Sequence, residues 1–214
     1  MKKRKKEIKA VIFDVGGVLA LGKDLGQLKS VSRGVHEKIA RALGISTDQW
    51  FDTIGEKYNK TITGEIKEKE FLNYLSKIFK RPPKFIKSLF LKNYSANYKQ
   101  NSLLYKFAFG LKNKGYRIGI LSDQHSLSKE ATLPPSKIRL FNSVILSCDL
   151  GFRKPSLKIY QAAIEKLNVK PEEALFIDNQ TWNLKPAKKL GMYTILFKNN
   201  KQLFKQLKRL GVNV

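Results

Sequence analysis

Three polar groups in this chain each follow a short apolar run. Asp14 comes after Ala10-Val11-Ile12-Phe13, Ser122 after Ile118-Gly119-Ile120-Leu121, and Asp178, with Asn179 next to it, after Ala174-Leu175-Phe176-Ile177. A lysine, Lys154, lies in the loop Gly151-Phe152-Arg153-Lys154-Pro155-Ser156 that leads into a helical pattern. Strand ends of an open parallel sheet lie side by side, and ligands bind in the crevice beyond them. The chemistry these groups fit is covalent phosphoryl transfer. A carboxylate attacks phosphorus, a hydroxyl and an ammonium hold the phosphate oxygens, and acids at another strand end hold Mg²⁺. Singly, each has a plainer reading: an Asp capping a turn, a Ser capping the next helix, one surface lysine among 34. Jointly, in this order and each after the right element, they favour the chemical reading.

The elements needed to position them can be read from hydrophobic spacing. Val11–Phe13 reads as a buried strand, and 20–34 as a loop or hairpin leaving the sheet. From Gly34 to about Asn97 the pattern is helical, about four helices, with Ser46 or Thr47 as an N-cap and Pro82-Pro83 as a stop. Leu103–Lys114 is an amphipathic helix and 117–121 a strand. Val144–Leu146, Ala174–Ile177 and Thr194–Phe197 are further strands, separated by helices at Ile159–Leu167 and Leu184–Leu190. A last helix runs over about Lys201–Leu210. Strands alternating with helices at this spacing predict βαβ units and a parallel sheet, interrupted after its first strand by a helical block.

The 214 residues suffice for one large domain or a core with a smaller insert. A hydrophobic content of 42% with 11% aromatics argues against disorder. The single cysteine, Cys148, excludes an internal disulfide, suits a reducing cytoplasm and reads as a small buried hydrophobe. No run approaches the ~20 apolar residues of a membrane span, and the basic start Met1–Lys6 precedes too short an apolar run for a secretory signal. It reads as a solvated leader. The net charge of +25 is spread along the chain and carried mainly by lysine. It draws in anions generally, so nucleic acid is expected only as a non-specific electrostatic partner, and a lysine-rich composition accounts for it as well.

Four ordered stretches make the chain resemble the haloacid dehalogenase superfamily, in its phosphatase-like subclass with a helical cap. They are Val11-Ile12-Phe13-Asp14-Val15-Gly16-Gly17-Val18-Leu19, Ile120-Leu121-Ser122, Gly151-Phe152-Arg153-Lys154-Pro155, and Phe176-Ile177-Asp178-Asn179 with Asn183–Ala187 and Leu190-Gly191-Met192. The last is similar to the phosphatase half of soluble epoxide hydrolases and to bacterial sugar phosphatases. The resemblance implies an α/β, Rossmann-like parallel-sheet core at 1–19 and 98–214 with an all-helical cap inserted at 20–97. It implies that Asp14 forms an aspartyl-phosphate while Ser122 and Lys154 bind the phosphoryl group, with Asp123 and Gly17 also against substrate. Mg²⁺ would be held by Asp14, the Gly16 carbonyl, Asp178 and Asn179. The expected protein is a cytoplasmic monomer or homodimer that hydrolyses a small phosphomonoester.

Two positions depart from the family pattern. The usual second Asp, which moves protons for the leaving group and water, is Gly16. Losing such help typically costs about 10²–10⁴-fold, though glycine also occurs here in sugar-phosphatase-like members. The usual acidic pair is Asp178-Asn179, one negative charge short for Mg²⁺. Asp123 and His125 are candidate substitutes for the missing acid–base group, with His125 read as a surface loop residue. The departures keep two other functions in view: a non-catalytic binder of anions, protein or RNA, and, more distantly, a metal-free dehalogenase.

Overall fold

The computed structural model describes residues 7–22 and 31–213. The basic leader at 1–6 and most of the loop expected before the first helix, 23–30, lie outside the described residues.

In chain order the elements are β1 (Ala10–Phe13), β2 (Ala20–Gly22), α1 (Val31–Ala42), α2 (Thr47–Ile62), α3 (Glu68–Phe79), α4 (Pro83–Asn97) and β3 (Tyr98–Gln100). There follow α5 (Ser102–Asn113), β4 (Arg117–Ser122), α6 (Ser126–Thr132), α7 (Pro135–Ile138), β5 (Ser143–Leu146), α8 (Ser147–Leu150) and α9 (Leu157–Lys166). The chain finishes with β6 (Ala174–Asp178), α10 (Thr181–Lys189), β7 (Tyr193–Leu196) and α11 (Asn200–Arg209).

Five strands form a parallel sheet in the order β5-β4-β1-β6-β7. Its strands are apolar because both faces are covered. Along β1, Val11 and Phe13 join a core with Leu104, Tyr105, Ala108 and Leu111 of α5 and Leu203 and Leu207 of α11. Ala10 and Ile12 point the other way, into a core with Ile159, Tyr160 and Ala163 of α9 and Leu184 and Ala187 of α10. This period-two division is what a strand buried on both faces requires.

The chain leaves β1 towards β4 and β5 on one side, then returns to β6 and β7 on the other. β1 is therefore the point where the order reverses, and the crevice opens at the carboxyl ends of β4, β1 and β6.

Helices α1–α4 pack around Trp50, Phe71, Leu75, Ile86 and Phe90, all fully buried, and Leu127 of α6 joins this cluster. Ser46 is the N-cap of α2 in a capping box with Gln49, which settles the choice between Ser46 and Thr47. The helical block is joined to the sheet by a two-stranded ribbon, β2 against β3, that the hydrophobic pattern did not reveal. The short helices α6, α7 and α8 were also not foreseen. Each is seven residues or fewer, too short for a periodic signal.

Candidate active site

Asp14 sits immediately beyond β1, its N–H donating to the Ile177 carbonyl of β6 (2.9 Å). That bond continues the β1–β6 ladder and holds the carboxylate at the crevice, 6% exposed. Lys154 reaches it from the loop before α9. Its Nζ lies 3.0 Å from Asp14 Oδ1 and 2.6 Å from Asp178 Oδ2. The lysine is 4% exposed, far from one solvated lysine among many. Burial opposes its charge, but Asp14, Asp178 and Asp123 outweigh that and hold its pKa above the ordinary lysine value, so it stays an ammonium.

Asp178 ends β6 with 0% exposure. Its Oδ1 accepts the Gln180 N–H (2.7 Å), and its Oδ2 accepts Lys154 Nζ and Asn183 Nδ2 (3.1 Å). Burial first, and then the Asp14 charge, push its pKa up to about 6 against the pull of Lys154. Asn183 is itself placed by Tyr160, whose hydroxyl donates to the Asn183 carbonyl (2.7 Å).

Ser122 closes β4 and is 1% exposed. It does not cap the following helix; His125 is the N-cap of α6. Its Oγ accepts from Gln124 Nε2 (3.2 Å), while Gln124 Oε1 accepts from Ser128 Oγ (3.1 Å) and Thr132 Oγ1 (3.2 Å). Gln124 thus orients the serine through a buried polar network, a role that sequence reasoning missed although the residue stands two places after Ser122. Asn183 was quoted as part of a motif without a role, and only the fold shows it on Asp178.

Two residues expected against substrate make contacts of their own, and the reading of His125 needs correction. Asp123 was expected against substrate and as a stand-in acid–base group. Its Oδ1 accepts the Lys154 N–H (2.9 Å) and its Oδ2 pairs with Arg153 Nε (3.6 Å), so its carboxylate holds the loop that carries the lysine. Gly17 was likewise expected against substrate; its N–H donates to the Ala20 carbonyl (2.8 Å). Its φ of +79° and its missing side chain let Asn179 close in: a Cβ there would lie 2.2 Å from Asn179 Nδ2. His125 was read as a surface loop residue, and it is 3% exposed. Its ring stacks on Tyr58 (4.5 Å between centroids), its Nδ1 accepts the Leu127 N–H, and burial lowers its pKa to about 3. A histidine buried among rings and kept neutral is no proton shuttle. Cys148, expected as a small buried hydrophobe, is 7% exposed.

The arrangement is a carboxylate at the central strand end, an ammonium touching it, a hydroxyl on one flank and a second carboxylate on the other. The family of haloacid dehalogenase-like hydrolases matches residues 8–191 of the chain, which span all four groups. The chain belongs to this family.

Among haloacid dehalogenase-like relatives, the pig bifunctional epoxide hydrolase 2 is 27% identical over 94% of this chain and 38% of its own length. The glyceraldehyde 3-phosphate phosphatase of Pyrococcus furiosus is 36% identical over 42% of this chain and 39% of its own. This chain thus spans less than half the length of those relatives. A family enzyme from Bacteroides thetaiotaomicron, solved in complex with magnesium and inorganic phosphate, superposes with a TM-score of 0.70 at 20% identity, over 92% of this chain and 99% of that one. The chain shares the fold of that Bacteroides enzyme. Among the described residues no helix is long and apolar enough to cross a membrane.

Proposed function

We propose that this hydrolase is a Mg²⁺-dependent phosphatase that acts on a small phosphomonoester through an aspartyl-phosphate at Asp14. The observation that carries this is the buried contact of one ammonium, Lys154, with two strand-end carboxylates, Asp14 and Asp178. The magnesium and phosphate held by the Bacteroides enzyme and the activity named for the Pyrococcus relative support it.

The donor set fits a hard cation. Asp14 Oδ2 has no partner among the described residues, and no described N–H donates to the Gly16 carbonyl. Asp178 accepts three hydrogen bonds, which leaves about one of a carboxylate's roughly four lone-pair positions open. Asn179, against Gly17, adds an amide oxygen. These are oxygen ligands with few charges, the set from which Mg²⁺ is held together with water. Bound there, the ion neutralises phosphate charge and orients the ester.

Asp14 supplies the nucleophilic oxygen. It forms a bond to phosphorus as the bond from phosphorus to the ester oxygen breaks. Lys154 and Ser122 hold the phosphoryl oxygens, the lysine as a permanent cation and the serine in the orientation set by Gln124. Gly16 has no proton to give, so the leaving oxygen takes one from solvent. Water then attacks the aspartyl-phosphate, which releases inorganic phosphate and restores Asp14. Residues 20–97 act as a cap over this crevice, and Tyr58 of α2 stacks on His125. Tyr98 feels the Asp14 charge, and burial above all pushes its pKa up to about 12.

The test is hydrolysis of a panel of phosphomonoesters, sugar phosphates included, by wild type and Asp14→Asn, with and without Mg²⁺. Turnover that needs the ion and disappears in Asp14→Asn is the expected result. If a correctly folded wild type shows no turnover above the variant, the protein is a non-catalytic binder on this fold.

A further inference from the structure

On the sheet face away from α9 and α10, α5 and α11 lie side by side, with the Phe107 and Phe204 rings 4.8 Å apart. Short helix α7 flanks α5: Lys137 Nζ sits over the rings of Tyr105 (5.6 Å) and Phe109 (5.8 Å). Between these helices runs a groove of about 650 Å³ lined by Leu103, Lys106, Phe107, Phe109, Lys137 and Phe204. Leu103 is 55% exposed, and the three Phe rings are partly exposed. The described site uses none of these residues.

The charge around the groove is one-sided. The chain has no Asp or Glu from 99 to 122, from 131 to 148, or after Asp178. The helices that border the groove therefore carry lysines and no carboxylate, with Lys106, Lys201, Lys205 and Lys208 all exposed. The described acidic residues lie elsewhere: on or beside α1–α3, at the crevice, on α6, α8 and α9, and beside the starts of β1 and β6. A lysine-rich composition alone would leave acids scattered here too.

Rings that stay partly accessible between lysines are the features of a single-strand platform. Bases stack on aromatic faces while the phosphates follow the cations. A duplex meets only half of this, since its bases are already stacked, and an acidic peptide needs no ring platform. We propose that the α5–α7–α11 face binds single-stranded nucleic acid, with a base against Phe107 and Phe109 and the backbone along Lys106 and Lys137.

The test is fluorescence anisotropy with a labelled oligouridylate and oligothymidylate, a duplex of equal charge and polyglutamate, across a salt series. Variants are Lys106→Glu/Lys137→Glu, Phe107→Ala and Phe107→Tyr. Lys188→Glu/Lys189→Glu on α10 makes the same charge change on the opposite sheet face. The single strands should bind more tightly than duplex or polyglutamate. The groove charge reversal should weaken them about tenfold or more and make the salt slope shallower by about 1.4. Phe107→Ala should cost about tenfold, and Phe107→Tyr should keep the affinity. The α10 reversal should change little, and Asp14→Asn nothing. Equal losses from the two charge reversals, equal binding of duplex or polyglutamate, or no binding of either single strand would each overturn the proposal.

Discussion

At the scale of residues, the position most open to change is Gly16. A Cβ built there meets no atom within 4 Å, and its φ lies outside the left-handed region, so the backbone does not demand glycine. Gly16→Asp is expected to fold and to raise phosphomonoester turnover by about 10²-fold, the lower end of what general acid–base help supplies. A turnover equal to wild type would show that proton transfer is not what slows this enzyme. Gln124 is the complementary case, since it acts on substrate only through Ser122. Gln124→Leu removes one of two acceptors from each of the Ser128 and Thr132 hydroxyls, which keep the His125 and Ser128 carbonyls, and is expected to cost about 0.5–1.5 kcal/mol in stability. Its specific signature is weaker inhibition by inorganic phosphate, measured at a temperature where the variant is fully folded. Unchanged phosphate inhibition would leave Gln124 a purely structural residue.

Between elements, the telling contact is the turn after α2. Gly64 has a φ of +69°, and a Cβ on it would lie 2.1 Å from the Cys148 carbonyl at the start of α8. Backbone meets backbone there, so no side chain can swing aside to relieve it. This is where the helical block closes on the sheet edge, together with α4 packed on α6. Gly64→Ala is expected to push the block away from α8, lowering Tm and raising KM more than it lowers kcat. A variant with wild-type Tm and KM would mean that the turn adapts without moving the block. The ribbon β2–β3 belongs to the same scale, because it carries the chain out of the sheet and back.

For the whole molecule, two neutral histidines are buried, His36 among the rings of the helical block and His125 where that block meets the start of α6. Trp50 Nε1 donates to His36 Nδ1 (2.9 Å), and the Leu127 N–H donates to His125 Nδ1 (3.0 Å). Each ring therefore carries its proton on Nε2, which has no hydrogen-bond partner among the described residues. Burial lowers their pKa values to about 4 and about 3. Because the folded values lie below the unfolded one of about 6.5, their contribution is complete above that pH. It is lost as pH falls through the window down to 4 and 3. Asp178, raised to about 6, opposes this in part between its ordinary value and pH 6. The histidines carry the larger combined shift, so stability should fall by several kcal/mol, in order of magnitude, from pH 7 to about 4. Denaturant melts across that range check it. A flat profile would mean that the rings are not sealed from water.

Much of this protein follows from its sequence alone. The apolar runs at 10–13, 118–121 and 174–177, each followed by a polar group, specify buried parallel strands with chemistry at their ends. Local pattern is enough there, since a strand covered on both faces must be continuously apolar. Gly16 and Asn179 also mark, from sequence alone, where the family's usual carboxylates are missing. What only the tertiary structure decided is which polar groups meet. Lys154 is one of 34 lysines until the loop before α9 places it between Asp14 and Asp178. Asp123 and Gly17 turn out to hold the loops, and Gln124 and Asn183 to hold the site's own side chains. His125 stands in a stretch too short to show periodicity, and its burial depends on rings from α2 and α4, about 30 to 70 residues away in sequence. Contacts between residues so far apart leave no local pattern, because they are set by how the helical block packs on the sheet edge.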